Sequence, residues 1–328
     1  MPDTTEKKDH FALIVGIEDY QEDELKGLKG AKNDADEFYR WVTSPSGGAV
    51  PDGNVRLLKD STIEQIERAF LGLCEPATTS GYAGKRLYVY LSGHGVAQDV
   101  HEASLLAADG GRNARDRHVP GWHWLSWFLA SGYFSEVILF ADCCRSVRGT
   151  WAVRRFPLDP INRASPARVR WVRGFAVQFG GKAIEEDEGL RSRGVFTRAL
   201  LTALEHARQP DGTVTARSMS NYFFNSPEVT KWRRYQAPSL LADVGVDDLV
   251  LSTGGAEPRE PVAVLVEDGE RPTIVGGPKR PEPWVVRPGT RPGEFLAELP
   301  RGIYVAKAGG RSKPFEVPGG VRVDDVRL

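Results

Sequence analysis

Cysteine and methionine are scarce in this chain of 328 residues, and long apolar runs are missing. Three cysteines, two of them adjacent, cannot form a disulfide framework, which favours a reducing compartment. Nowhere do about 18 apolar residues run together, and residues 1–10 are charged without an apolar segment. We therefore expect neither a membrane span nor an export signal, and the sequence predicts a cytoplasmic protein.

An excess of basic charge is also missing. The chain has 43 lysines and arginines against 44 aspartates and glutamates, for a formal net charge of -1. Proteins that bind nucleic acid or anionic membranes in a general way carry a clear basic surplus. We therefore expect neither nucleic acid nor a membrane among the partners.

Apolar runs alternate with amphipathic segments along most of the chain, as is typical of βαβ units around a mostly parallel sheet. The fold class predicted is therefore α/β. Ser61 and Glu64 have the spacing of a capping box at the start of one predicted helix. The predicted strands are 11–17, 54–58, 86–92, 136–142, 172–179 and 247–251, and the predicted helices are 31–42, 61–73, 121–130 and 194–207.

The character of the chain changes after residue 252. Short strand-like pieces punctuated by Pro and Gly predict a small all-β domain of unknown role over residues 262–328. The division predicted is an N-terminal extension over 1–10, a main domain over 11–252 and a linker over 253–261.

Two predicted strands end in reactive residues, in "YLSGHG" at 90–95 and "LFADCCRS" at 139–146. The carboxyl ends of parallel strands meet at one edge of a sheet, where ligands bind, so neighbouring strands would bring His94 and Cys144 together. An imidazole beside a thiol can take its proton and produce a thiolate nucleophile. The backbone N–H groups of Gly95 and Cys144 are candidates for an oxyanion hole.

Alternation along the strand separates the two adjacent cysteines. Asp142 and Cys144 lie on one side and Cys143 on the other, where we expect it to be buried. Cys74 belongs to the apolar face of a predicted helix, so we expect it in the core. Should His94 not be the base, His101, His118 and His123 are the alternatives.

Two carboxylates are also expected at the carboxyl edge of the predicted sheet, near His94 and Cys144. Asp142 and Ser92 end two strands, and Asp34 lies in the first turn of the first helix. Two carboxylates in a partly dry pocket require a cation, which favours an Arg side chain over Lys because Arg pairs in a planar fork. The alternative for Asp34 is a simple helix-start residue.

With these residues the sequence resembles the caspase-like cysteine proteases, peptidase family C14, and within them the metacaspase and bacterial branch. The matching motifs are Ser92-Gly93-His94-Gly95, the Asp-X-Cys of residues 142–144 and the Gly-X-X-Asn-Asp of residues 30–34. The spacing from His94 to Cys144, followed by Arg145, also fits the family. The resemblance covers roughly residues 10–252.

That resemblance implies a caspase-like sandwich of helices around a mostly parallel six-stranded sheet. It implies a cysteine endopeptidase with Cys144 as nucleophile and His94 as base. Asp34, Ser92 and Asp142 would line the pocket for an Arg or Lys before the cut, in protein or peptide substrates. We expect no cofactor and no metal site, since the acidic insertion of calcium-dependent relatives is missing after His94.

Two charged segments and the family resemblance bear on activation and biological role. The arginine-rich residues 145–173 are either an activation loop with self-cleavage sites or a solvated basic surface, and we expect the acidic "EEDE" at 185–188 to be a solvated loop. An upstream activating protease is a further partner implied by the family, whose bacterial members act in stress, cell-death and antiphage pathways. Two alternatives stay open: a catalytically silent binding module, or Cys-His chemistry on small molecules.

Overall fold

Six strands form the central sheet of the structure, which is a computed structural model. They run in the spatial order β6-β5-β4-β3-β1-β2, and every neighbouring pair is parallel except β6 with β5. The predicted mostly parallel six-stranded sheet is therefore confirmed. The strands are β1 (His10–Gly16), β2 (Val55–Lys59), β3 (Gly84–Gly93), β4 (Phe134–Cys143), β5 (Arg170–Phe175) and β6 (Ser239–Asp243).

The residues that the structure describes are 7–25, 27–147, 151, 153–158, 169–188, 191–209, 211–243, 248–252, 259–266, 270–276, 283–300, 302–317 and 325–328.

Helices cover both faces of the sheet. One face packs against α2 and α3 through Phe70 and Trp124, and the other packs against α1 and α4 through Phe38 and Phe196. The two central strands, β3 and β4, are buried along almost their whole length, as expected for strands covered on both faces. The helices are α1 (Ala31–Thr43), α2 (Ile63–Ser80), α3 (Gly121–Ser131), α4 (Val195–His206), α5 (Ala216–Asn225) and α6 (Pro227–Trp232).

The capping box of α2 lies one residue later than predicted. Thr62 donates its backbone N–H to Gln65 Oε1 at 2.8 Å, and the Gln65 N–H donates to Thr62 Oγ1 at 3.4 Å. The Ser61 hydroxyl instead donates to the carbonyl of Lys59 at 3.1 Å. The prediction on Ser61 and Glu64 was wrong because Ser61 is engaged by the end of the preceding strand.

The last strand of the central sheet also differs from the prediction. The strand expected at 247–251 is Val250–Ser252, which pairs with Val214–Thr215 outside the central sheet. The sixth strand is β6, which pairs antiparallel with β5. As an edge strand β6 buries only one of its five residues fully, so it lacks the apolar run that marks the other strands.

Shorter strands lie beyond the carboxyl edge of the sheet. Four of them form a small sheet that continues the chain after β3 and β4: Gly95–Ala97, Ser104–Leu106, His118–Pro120 and Ser146–Val147. Two more form an antiparallel hairpin, Glu185–Glu188 with Arg191–Gly194.

In its described residues, the C-terminal part of the chain is all β, as predicted. Its four-stranded sheet consists of Arg259–Leu265, Arg287–Pro288, Glu294–Pro300 and Val326–Arg327. Its three-stranded sheet consists of Thr273–Gly276, Gly302–Ala308 and Arg311–Val317. These strands enclose an apolar cluster of their own, which includes Val264, Leu299 and Tyr304.

Candidate active site

The two strands that carry the reactive residues are direct neighbours. In the parallel ladder of β3 and β4, Ser92 lies opposite Asp142 and Gly93 lies opposite Cys143. The residue that follows each of these strands therefore lies at the same edge of the sheet. These residues are His94 and Cys144, which the sequence predicted to converge.

The segments that follow His94 and Cys144 are also paired. Val96 lies opposite Ser146 in a short parallel ladder. Gly95 is packed so closely that a Cβ atom there would lie 2.3 Å from the carbonyl oxygen of Cys144 and 2.7 Å from the sulfur of Cys143. Only glycine fits here, because its backbone lies against the Cys144 carbonyl and the Cys143 side chain.

Tyr20 holds the histidine in place. The backbone N–H of His94 donates to Tyr20 Oη at 2.7 Å, and the two rings lie with centroids 5.0 Å apart. Gly93, just before, has φ of +149°, a conformation that side chains rarely adopt. A Cβ there would lie 2.6 Å from Tyr20 Oη. The Ser-Gly-His-Gly sequence thus needs both of its glycines for steric reasons.

The imidazole of His94 is kept neutral. Burial lowers its pKa below the usual value, and the backbone of Leu25 opposes this by favouring the protonated ring. The Nε2 atom is buried and has no hydrogen-bond partner. A neutral ring with one unpaired nitrogen can accept a proton, which is what a general base requires.

Cys144 is half-buried, and its sulfur accepts a hydrogen bond from the backbone N–H of Ala183 at 3.3 Å. Burial raises the pKa of this thiol, and the N–H of Ala183 partly counteracts it. The resting side chain at neutral pH is therefore a thiol. The pair consists of a neutral thiol and a neutral imidazole rather than an ion pair.

The other two cysteines are buried, as predicted. Cys143 is 1 % exposed and belongs to the apolar core on the α2 and α3 face. Cys74 lies in the same core, and burial raises the pKa of its thiol to about 12. Neither thiol is placed to react.

A cleft of about 340 Å³ contains His94, Gly95 and Cys144 together. Leu25, Leu106 and Trp151 form apolar parts of its wall, and Lys182 lies on its rim. Sequence reasoning did not single out Leu25 or Trp151, because both come from loops distant in the chain and belong to no motif.

Of the chain's histidines, only His94 lines this cleft. The ring of His118 is fully buried between Gln98 and the Arg115 carbonyl, and burial lowers its pKa to about 4. His101 and His123 are exposed and are not among the residues that line the cleft.

Asp34 and Asp142 lie close together, as predicted. Both oxygens of Asp34 accept from the backbone N–H of Gly194, at 3.1 and 3.0 Å. Asp142 accepts from the N–H and the hydroxyl of Thr197, at 3.1 and 2.7 Å. Ser92 is the neighbour of Asp142 across the ladder and is also buried.

The two carboxyl groups are strongly perturbed. Burial raises the pKa of Asp34 well above its usual range, and the charge of Asp142 raises it further. Burial likewise raises the pKa of Asp142 to about 6. Two neighbouring carboxyl groups in a buried site cannot both ionise without a large cost in free energy. A bound cation would remove this cost.

Gly194 covers the acidic pair. A Cβ on this residue would lie 2.1 Å from Asp142 Oδ2 and 2.8 Å from Asp34 Oδ2. Neither aspartate is among the residues that line the 340 Å³ cleft. The structure therefore brings the acidic residues together beneath the backbone of Gly194 rather than on the open wall of the cleft.

The acidic residues 185–188 are not a solvated loop, and that prediction was wrong. Glu185 accepts from the backbone N–H groups of Lys29 and Gly30, at 3.2 and 3.0 Å, just before α1 begins. Glu186 pairs with Arg198 of α4 and with Lys231. These contacts fix the hairpin that ends in Gly194, and no local sequence signal could have revealed them.

Arg145, the residue after the nucleophile candidate, is buried. Its guanidinium donates to the carbonyls of Glu102 at 2.8 Å, Val100 at 2.7 Å and Val177 at 3.3 Å, and it lies over the ring of Phe175. Its backbone N–H and carbonyl are bonded to the turn at residues 180–181. Arg145 thus joins the loop after His94 to the loop after β5.

The other arginines of residues 145–173 are mostly engaged as well. Arg154 pairs with Glu67, Arg170 pairs with Glu136, and Arg173 stacks on Trp122. For these residues and Arg145 the solvated-surface interpretation is wrong, because each side chain has a specific partner, whereas Arg155 is exposed. The activation-loop interpretation stays a prediction, since residues 148–150, 152 and 159–168 lie outside the described residues. Arg148, Arg163 and Arg168 lie outside the described residues.

In the part of the chain that the structure describes, no cluster of three or more His, Cys, Asp or Glu side chains could hold a metal ion. None of its helices combines the length and the apolar character needed to cross a membrane.

Comparisons with known proteins identify the family of the chain. Residues 9–242 match the family model of the caspase domain, peptidase C14. A probable protease from a Desulfuromonadales bacterium is 29% identical over 221 residues, which are 60% of this chain and 26% of the relative. The chain thus spans about a quarter of the length of that relative.

Two solved structures are similar at low identity. Caspase-1 from Spodoptera frugiperda is 14% identical with a TM-score of 0.49, over 78% of this chain and 94% of the caspase. A protein from Geobacter sulfurreducens is 15% identical with a TM-score of 0.46, over 71% and 93% of the two chains.

Proposed function

Because this chain belongs to the caspase-domain family of cysteine peptidases, we propose that it is an endopeptidase that cuts protein substrates after Arg, and less readily after Lys. Cys144 is the nucleophile and His94 the general base in this proposal. The main support for this proposal is the pairing of β3 with β4, which places both residues at one edge of the sheet and in one cleft.

The resting protonation states define the first step. His94 Nε2 takes the thiol proton of Cys144 while the sulfur bonds to the carbonyl carbon of the scissile peptide. The carbonyl oxygen becomes an oxyanion, which the backbone N–H groups of Gly95 and Cys144 stabilise. The raised pKa of the Cys144 thiol makes this transfer to His94 necessary, because little thiolate exists beforehand.

The imidazolium of His94 then protonates the leaving amine as the C–N bond breaks, and the acyl group stays on Cys144 as a thioester. Water attacks the thioester and gives its proton to His94, and the second tetrahedral intermediate expels the sulfur. The carboxylic acid leaves, and the thiol and the neutral imidazole are restored.

Selectivity for a basic residue rests on Asp34 and Asp142, with Ser92 beside them. A guanidinium supplies the cation that this buried pair lacks, and it can pair with two carboxylates through its planar fork. Its arrival favours the ionised carboxylates, so binding releases a proton. The Lys ammonium reaches the same oxygens with a single charged group, which places it second.

Activation, in this proposal, acts on the strand Arg191–Gly194. Gly194 covers both carboxylates, so a substrate side chain reaches them only when this strand moves aside. Cleavage within residues 145–173, by the enzyme itself or by an upstream protease, is the trigger that we propose. A stress, cell-death or antiphage role is proposed from the family resemblance alone.

The decisive experiment uses an acyloxymethyl ketone peptide that ends in Arg and labels only a functional nucleophile. Wild type should be labelled at Cys144, and Cys144→Ala should not be labelled. A folded wild-type protein that cleaves no Arg peptide and takes no label would support the silent binding module instead. Cleavage-site profiling on proteome-derived peptides then tests the Arg preference directly and identifies candidate substrates.

A further inference from the structure

A second cavity lies at the opposite edge of the central sheet. It has a volume of about 210 Å³ and opens at the first residues of β1, β3 and β4. Its wall combines three parts of the chain: the N-terminal residues, the loop at 47–49, and the strand Val250–Ser252. Since one water occupies about 30 Å³ of liquid, this space holds several waters or a small polar ligand.

Positive charge predominates in this cavity. Lys7, Lys85, Arg86 and Arg170 line it, against the carboxylates of Glu136 and Asp248. Glu136 lies between two of the arginines, with Arg86 Nε at 2.6 Å from one of its oxygens and Arg170 bonded to the other. This carboxylate is therefore already neutralised.

Asp248 is likewise engaged, by the backbone N–H groups of Leu249 at 2.9 Å and Arg217 at 3.3 Å. The two lysines add a surplus of positive charge to the wall of this polar space, where Lys85 is exposed and Lys7 is half-buried. Such a surplus attracts an anion.

Two buried polar side chains of the cavity lack a well-formed hydrogen bond to any described residue. They are Ser252, through its hydroxyl, and His10, whose ring has only the Gly48 backbone nearby, and each residue is 3 % exposed. Asp9 Oδ1 lies 3.9 Å from His10 Nε2, too far for a hydrogen bond. Buried polar groups are nearly always paired, so these atoms indicate a missing ligand.

The protonation of His10 fits a cationic environment. Burial lowers its pKa to about 3, and the charges of Arg86, Lys85 and Lys7 lower it further, against a small opposing effect of the Gly48 backbone. The neutral ring keeps one N–H donor, and Ser252 supplies an O–H donor. Both can donate to an oxygen ligand.

We propose that this cavity binds a small tetrahedral oxyanion of the phosphate class. The lysine ammonium groups, the Ser252 hydroxyl and the His10 N–H supply charge-assisted and neutral donors around it. Such a ligand would hold together the N-terminal residues, the 47–49 loop and the strand Val250–Ser252, which precedes the C-terminal β strands. Because the cavity is separate from the His94 and Cys144 cleft, the proposal stands whether or not the chain is a peptidase.

The test is binding of inorganic phosphate to the full chain, by isothermal titration and by thermal unfolding, with chloride at equal ionic strength as the reference. Wild type should bind phosphate at one site and unfold at a temperature several degrees higher. Lys85→Gln and Ser252→Ala should each weaken binding at least tenfold. Lys8→Gln, which changes an exposed neighbour outside the cavity, should bind as wild type does.

Glycerol 3-phosphate is the second probe. Tighter binding than that of inorganic phosphate would identify a phosphorylated metabolite as the ligand, and weaker binding would identify the free ion. The proposal is overturned if chloride stabilises the protein as much as phosphate does. Equal phosphate binding by wild type, Lys85→Gln and Ser252→Ala would also overturn it, as would a wild-type protein that binds no phosphate.

Discussion

Cys143 lies opposite Gly93 in the central ladder with its side chain in the apolar core, and one residue later Cys144 projects into the cleft. Adjacent positions on one strand face opposite sides, so the two thiols have different environments although they are neighbours in sequence. Because the two thiols lie in different environments, substitution of each should have a different effect.

Cys144→Ala should abolish peptidase activity with little change in stability, because its side chain is only half-buried. Cys143→Ala should keep most of the activity and lower the free energy of unfolding by about 1–2 kcal/mol, as expected for a small deletion in a packed core. kcat/KM on an Arg peptide and urea unfolding measure the two effects. Equal loss of activity in both folded variants would contradict the assignment, and loss only in Cys143→Ala would reverse it.

His94→Ala should lower kcat by several orders of magnitude and leave the fold intact, since the ring both takes the thiol proton and protonates the leaving amine. Alkylation of Cys144 by iodoacetamide should also become slower at pH 7. His118→Ala is the control for a buried histidine outside the cleft: it should reduce stability more than turnover. Near-normal turnover in His94→Ala would show that another base serves.

Substrates with Arg before the cut should be hydrolysed fastest, those with Lys second and those with Asp slowest. An Asp side chain would add a third negative charge to those of Asp34 and Asp142. Asp34→Ala should remove roughly 2–4 kcal/mol of transition-state stabilisation for Arg peptides. It should have much less effect on peptides with Ala at that position. kcat/KM for the four peptides with both proteins gives the comparison, and preferential cleavage after Asp by wild type would overturn the pocket assignment.

The preference for Arg should increase with pH. The Asp142 carboxyl, with its pKa raised to about 6, is protonated below that pH and cannot pair with a guanidinium, whereas above it the carboxylate is available. The ratio of kcat/KM for Arg over Ala peptides should therefore rise between pH 5 and pH 8, a range set around that pKa of about 6. Dividing by the Ala peptide removes the titration of Cys144 and His94. A ratio that is flat or falls with pH would show that the acidic pair does not meet the substrate.

The contribution of Asp34 and Asp142 to the stability of the fold should decrease with pH, whereas the preference for Arg increases. A carboxyl whose pKa is higher in the folded than in the unfolded chain favours folding most when it is protonated, so its contribution declines as pH rises through the two pKa values. Asp34→Asn should therefore stabilise the protein at pH 7 while it weakens cleavage after Arg. Thermal unfolding with and without the substitution measures this, and a lower melting temperature would contradict the unfavourable ionisation proposed.

Arg145→Lys should lower kcat at least tenfold, because a single ammonium cannot replace the guanidinium bonds to Val100, Glu102 and Val177 that position the residue beside the nucleophile. Arg154→Lys is a matched control, since it loses the paired contact with Glu67, and neither residue lines the cleft. Both should lose about 1–3 kcal/mol of stability. Equal kcat in the two variants would show that Arg145 has no positioning role.

The central sheet was predictable because buried parallel strands appear in a sequence as uninterrupted apolar runs. The runs ending at Ser92 and Asp142 predicted two strands whose ends would meet if the strands were neighbours, and the ladder shows that they are. The period of two predicted the burial of Cys143. The sixth strand was missed because β6 is an edge strand with mixed exposure, whose place depends on pairing with β5 rather than on its own residues.

The covering of the acidic pair was not predictable. Asp34 and Asp142 could be placed at one edge from helix and strand positions, but the docking of Gly194 between them depends on contacts more than 150 residues apart in the chain, such as Glu185 with Gly30. Short polar hairpins of this kind have no periodic signal. Their position is decided by the surfaces they meet after the sheet has formed.

Under the proposed specificity for arginine, the burial of Arg145 also limits self-cleavage. The protein carries this arginine directly after Cys144, where a second copy would otherwise find a suitable sequence. Since the side chain and both backbone polar groups of Arg145 are held by neighbouring loops, the peptide bond after it cannot extend into another cleft while the fold persists. Self-digestion at this bond should therefore begin only when the protein unfolds, so intact molecules survive and damaged ones are removed.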